Sequence, residues 1–104
     1  MKILLTGSNT NSPSYQFYKE SLKKIPKHKK NIKFLFKKFD QNLSLKHYDI
    51  ILFMSGTKNI NFAKIKGSKC GVVDPRAANY DDFKKYNFII ANGLEEKNFF
   101  SYTK

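Results

Sequence analysis

The 104-residue sequence predicts a three-layer α/β domain built on a mostly parallel sheet of four or five strands. Three observations carry this expectation. Short apolar runs such as Ile3-Leu4-Leu5 and Ile50-Ile51-Leu52-Phe53-Met54 are too brief for helices and lack the alternating polar positions of a strand with one wet face. The runs end abruptly in Gly, Ser, Asp or Asn, as buried strands do where they reach one edge of a sheet. No tight Asn-Gly hairpin joins two of them, and the intervening segments have room for helical or irregular crossovers.

Taken in order, Lys2-Ile3-Leu4-Leu5-Thr6 is a central first strand closed by Gly7. A polar loop, Ser8-Asn9-Thr10-Asn11-Ser12, follows, and Ser12-Pro13 matches an N-cap with proline at the first helical position. Tyr15, Tyr18, Leu22 and Ile25 then recur at helical spacing, with Lys19, Lys23 and Lys24 facing solvent and Pro26 ending the helix. Ile32-Lys33-Phe34-Leu35-Phe36 alternates partially, as a strand nearer an edge does. Leu43, Leu45 and Tyr48 approach the most apolar run, residues 49–54, which is expected to be central and stops at Ser55-Gly56-Thr57. Ile60, Phe62, Ala63 and Ile65 suggest one weak helical turn before Gly67. Residues 70–73 and 88–91 are the fourth and fifth strands, with a short helix or turn over residues 81–86 between them. Residues 94–102 begin with Glu95-Glu96, acids well placed at a helix N-terminus.

The length suits a single domain, residues 1–104. No apolar run approaches the ~20 residues of a membrane span, and Met1-Lys2 does not open a secretory signal, so a cytoplasmic location is expected. A single cysteine, Cys70, rules out an internal disulfide. His28 and His47 form no metal-ligand pair, and no cofactor or metal is expected. The formal charge of +12 is concentrated in residues 1–47, where eleven Lys face only Glu20 and Asp40. Lys19, Lys23, Lys24, Lys27, Lys29 and Lys30 offer an anionic membrane surface a partner, or simply form a solvated face. Sequence-specific nucleic-acid reading is less expected, because Arg76 is the sole arginine and base readers favour its bidentate fork.

A parallel sheet would gather Thr6 to Thr10 residues Gly7, Ser8, Asn9 and Thr10, then Phe39-Asp40-Gln41, Ser55-Gly56-Thr57, Asp74-Pro75-Arg76 and Asn92-Gly93 at its carboxyl edge. Hydroxyls, glycine-turn N–H groups, one guanidinium and two carboxylates suit a sugar, nucleotide or phosphate. The loop after Gly7 lacks the dinucleotide and P-loop glycine patterns. It resembles the flavodoxin phosphate loop, with Asn11 where glycine is expected and Pro13 in place of the final hydroxyl. An ordinary polar turn is the alternative. Arg76 is placed either to clamp an anion or to pair with Asp81, Asp82 or Glu95. Asn92-Gly93 either lets a ligand approach the backbone closely or only turns the chain.

Lys2-Ile3-Leu4-Leu5-Thr6-Gly7, Tyr48-Asp49-Ile50-Ile51-Leu52-Phe53, Gly71-Val72-Val73-Asp74-Pro75-Arg76 and Phe88-Ile89-Ile90-Ala91-Asn92-Gly93-Leu94-Glu95 resemble the N-terminal Rossmann-like domain of GT-B fold glycosyltransferases. The resemblance covers about half the chain. It implies an acceptor-side domain whose nucleotide-sugar donor is held by a C-terminal domain, so the chain is expected to be the N-terminal part of a longer transferase. It also implies work at the inner face of the membrane as a peripheral protein. The substrate-binding set is then Gly7, Ser8, Asn9, Thr10, Ser55, Gly56, Asp74, Arg76, Asn92 and Gly93, with catalytic residues unassigned. A stand-alone flavodoxin-like phosphate- or nucleotide-binding domain and a basic nucleic-acid-binding protein are the alternatives.

Overall fold

Five strands form where the apolar runs lie, in a computed structural model that describes residues 1–25, 31–73 and 84–90. They are β1 (Lys2–Gly7), β2 (Lys33–Lys38), β3 (Ile50–Met54), β4 (Lys69–Val73) and β5 (Phe88–Ile90). All pairings are parallel and the order is β2-β1-β3-β4-β5, a Rossmann-like α/β sheet. The register sets Leu4 beside Ile51 and Ile51 beside Cys70, so the most apolar runs occupy the middle. β2 is one of the two edge strands, consistent with its exposed Lys33, Lys37 and Lys38.

Successive strand residues point to opposite faces, and both faces are covered. Leu5, Leu52, Met54 and Val73 pack under Tyr15, Tyr18 and Leu22 of α1 (Pro13–Lys23). Leu4, Ile51, Phe53 and Cys70 face the other way, onto Leu43, Leu45, Tyr48, Ile60, Phe62, Ile65 and Tyr86. The strand order explains this division. The chain moves outward from β1 to β2 through α1, then returns across β1 to β3, and a right-handed crossover in the reversed direction lies on the opposite face. That second face is covered by irregular crossovers, residues 39–49 and 55–68, with one 3-10 turn at Phe62–Lys64. Aromatic rings do the filling that a helix would otherwise do: Phe53 contacts Phe39, Phe62 and Tyr86 at centroid distances of 5.9, 6.1 and 6.1 Å.

At the amino edge, side chains extend the ladder. Asp49 Oδ2 accepts from Lys2 N at 2.7 Å, and Asn87 Oδ1 accepts from Cys70 N at 2.7 Å. Asp49, read from sequence as the start of its strand, therefore precedes it as a bracket. Gly71 faces Phe88 on the neighbouring strand; a Cβ there would lie 2.2 Å from the ring, so only glycine admits the aromatic.

Two expectations for α1 need correction. It ends at Lys23 rather than at Pro26, because Lys24 N and Ile25 N reach back to Ser21 O and Leu22 O and tighten the last turn. Lys23 is exposed as expected, whereas Lys19 is half-buried; their ammonium groups sit 5.9 and 5.7 Å from the centroid of the Phe36 ring, a cation–π arrangement over edge strand β2. The expected turn over residues 81–86 is described only from Lys84 onward, and the expected last helix, residues 94–102, lies outside the described residues. Among the described residues, no helix is long and apolar enough to cross a membrane.

Candidate functional site

In an open parallel sheet, the crevice outside the carboxyl ends of the strands forms where the strand order reverses. Here that point lies between β1 and β3, and a crevice of about 280 Å³ occupies it. Its lining is Ser8, Asn9, Ser12, Ser14, Met54, Ser55, Gly56 and Thr57.

Each wall is fixed by local hydrogen bonds. Ser12, extended at φ −66° and ψ 148°, caps α1 by accepting from Tyr15 N at 3.2 Å, and Pro13 follows where no N–H is needed. Asn9 Oδ1 accepts from Asn11 N at 3.0 Å, and Gln16 Nε2 donates to Thr10 O at 2.6 Å, tying the loop to the helix. Beneath the loop, the buried Tyr15 hydroxyl donates to Leu5 O at 3.1 Å. Burial pushes the Tyr15 phenol above its ordinary range, which keeps it a donor. On the other wall, Ser55 N donates to Val73 O at 2.9 Å, Gly56 takes φ 82°, and Thr57 Oγ1 donates to Met54 O at 2.6 Å. Gly7 is the hinge between the walls: a Cβ there would meet Met54 Cβ at 2.9 Å, so the β1 backbone approaches β3 as closely as it does only with glycine.

These bonds sort the polarity of the crevice. Thr57 uses its proton on Met54 O, so its hydroxyl is left as an acceptor. Ser12 accepts from Tyr15 N and retains its own O–H as a donor. Asn9 spends its carbonyl oxygen within the loop and keeps its NH₂ donors. Among the described residues the lining carries no charged side chain, and the N-terminal end of α1 contributes partial positive charge.

Of the sequence-derived set, Ser8, Asn9, Ser55 and Gly56 line the crevice and Gly7 lies directly beneath it. Thr10 does not line it; its carbonyl braces the loop through Gln16. Asp74, Arg76, Asn92 and Gly93 fall outside the described residues. Ser12, Ser14 and Met54 join the lining without having been singled out as ligand contacts. Ser12 and Ser14 belong to the loop between β1 and α1 that the sequence places to bind an anion, and an N-cap at a switch point lies beside the crevice.

Among the described residues, no three His, Cys, Asp or Glu side chains cluster to hold a metal. Cys70 is buried and its thiol is pushed above the usual range by desolvation, so it is not an activated nucleophile. Comparisons with protein-family models, with curated proteins and with solved structures find no match to this chain.

Proposed function

We propose that this chain is the acceptor-side domain of a glycosyltransferase, with the β1/β3 crevice taking a sugar- or phosphate-bearing ligand. The observation that carries the reading is a lining that, among the described residues, is polar and uncharged, with donor capacity left on Ser12 and Asn9 and acceptor capacity left on Thr57. A sugar hydroxyl both donates and accepts, so such a mixed rim matches a polyol better than it matches an apolar ligand. The four segments that resemble GT-B transferases overlap β1, β3, β4 and β5, whose carboxyl ends share one edge. Asp74 and Arg76 follow β4 directly in sequence, and a guanidinium there would clamp a phosphate or carboxylate by two parallel hydrogen bonds.

The strand order β2-β1-β3-β4-β5 also favours a second reading, a flavodoxin-like phosphate- or nucleotide-binding domain, because that order places its ligand at the same β1/β3 point. Radiolabelled sugar transfer from a panel of nucleotide sugars, using protein expressed from the complete reading frame, separates the two. The transferase reading expects sugar incorporation into an acceptor that is lost in Arg76→Ala and reduced in Ser55→Ala. Stabilisation by nucleoside phosphates with no transfer from any donor selects the second reading, and transfer unaffected by either substitution removes the site assignment.

A further inference from the structure

On the face of the sheet opposite α1, the two irregular crossovers do not close over one another. Between residues 39–46 and 59–65 they leave a cavity of about 450 Å³, larger than the β1/β3 crevice. A structural water occupies only about 30 Å³, whereas small-molecule sites run from about 300 to 1,000 Å³, so this volume belongs to the second class.

The cavity has an ordered division of labour. Phe39, Leu43, Leu45 and Ile65 give it apolar walls. Phe39 is held at one end by donating its N–H to Gly7 O at 2.9 Å, and its ring meets the buried Phe53 ring edge-on. The 40–43 turn is braced twice, by Asn42 N on Asp40 Oδ1 at 2.8 Å and Leu43 N on Asp40 O at 3.2 Å. The facing wall is braced by Lys64 N on Asn61 O and Ile65 N on Phe62 O, both at 3.1 Å. The walls are therefore formed before any ligand arrives. Lys46 and Lys64 both line the space, and neither forms an ion pair among the described residues. Among the described residues Asp40 is the single carboxylate in the lining, so Lys46 and Lys64 leave it with a net positive charge.

We propose that this cavity is a second small-molecule site, taking a ring compound that bears one anionic group. The ring lies against Phe39, Leu43, Leu45 and Ile65, and the anion meets the ammonium groups of Lys46 and Lys64. Both halves of the ligand are needed. Two exposed lysines alone hold an anion weakly in water, and an apolar wall alone does not orient a ligand. This assignment stands apart from the glycosyltransferase reading, since it shares no lining residue with the β1/β3 crevice.

The test is a titration of the ¹⁵N-labelled chain with phenyl phosphate, with inorganic phosphate and benzyl alcohol as the two half-ligands, followed by amide chemical shifts. Phenyl phosphate is expected to shift residues 40–46 and 59–65 and to bind about tenfold more tightly than either half-ligand. Lys46→Gln with Lys64→Gln should weaken phenyl phosphate by about tenfold while leaving the unfolding midpoint unchanged, because both side chains are exposed. Shifts confined to residues 8–14 and 55–57, no saturable shift, inorganic phosphate binding as well as phenyl phosphate, or undiminished binding by the double variant would each overturn the proposal.

Discussion

Thr6 is fully buried in β1, and its hydroxyl has no hydrogen-bond partner among the described residues. A buried hydroxyl without a partner costs about 1–3 kcal/mol relative to one that is satisfied. Valine has nearly the same shape and carries no such group. Thr6→Val is therefore expected to raise the urea midpoint by the equivalent of about 1 kcal/mol at unchanged m-value, and a lowered midpoint would mean that the hydroxyl is satisfied in solution. Tyr15 and Cys70 carry a second residue-scale consequence. Both are buried, and both have folded-state pKa values raised above ordinary values of 10.0 and 9.0 by desolvation. The folded state thus holds its protons longer than the unfolded chain. Their contribution is complete below about pH 9 and is lost as pH rises through the folded values. Urea midpoints measured from pH 8 to 11 should fall, and Cys70→Ala should remove the earlier part of the decline. A flat profile would contradict the burial of both groups.

At the scale of the element, α1 and its preceding loop do two jobs with the same side chain. Ser12 caps the helix and also lines the β1/β3 crevice. Ser12→Ala should cost about 1 kcal/mol of stability by leaving Tyr15 N unpaired. Ser12→Asp keeps the cap and restores that stability, yet brings a carboxylate to the crevice and should weaken binding of any phosphate-bearing ligand there. Equal affinity in Ser12→Asp and the unaltered protein, measured by calorimetry, would separate the cap from the site.

The strands were legible because burial on both faces removes polar positions, leaving Ile3-Leu4-Leu5 and Ile50-Ile51-Leu52-Phe53-Met54 as unbroken apolar runs. The start of α1 was legible from Ser12-Pro13; its end was not, because Lys24 and Ile25 settle into tight backbone bonds before Pro26 intervenes. Half of the crevice could be read at the strand ends, at Ser8, Asn9, Ser55 and Gly56. The cavity between the crossovers left almost no mark. Residues 43–46 have neither helical nor strand period and residues 59–65 show only one weak turn, so what they enclose depends on how two largely irregular segments pack against Phe53.

For the whole molecule, sheet topology and charge act together. The reversal of strand order at β1 puts α1 on one face and the crossovers on the other, and it opens the crevice at the carboxyl edge between β1 and β3. The basic surface lies around α1, where Lys23 and Lys24 are exposed, Lys19 is half-buried, and Phe17 is 60% exposed. We propose an anionic bilayer as a partner for this side, to which each lysine near the surface would add up to about 1 kcal/mol. Sedimentation with phosphatidylserine vesicles should carry the protein down at low salt, while phosphatidylcholine vesicles leave it in solution. Equal sedimentation with both removes the electrostatic reading. The central claim, that the β1/β3 crevice is built for a sugar- or phosphate-bearing ligand, is tested most directly by titrating ¹⁵N-labelled protein with glucose 1-phosphate and following its amides. The account predicts saturable shifts at residues 8–14 and 55–57, diminished in Ser12→Asp; no saturable shift, or shifts confined to residues 40–46 and 59–65, would contradict it.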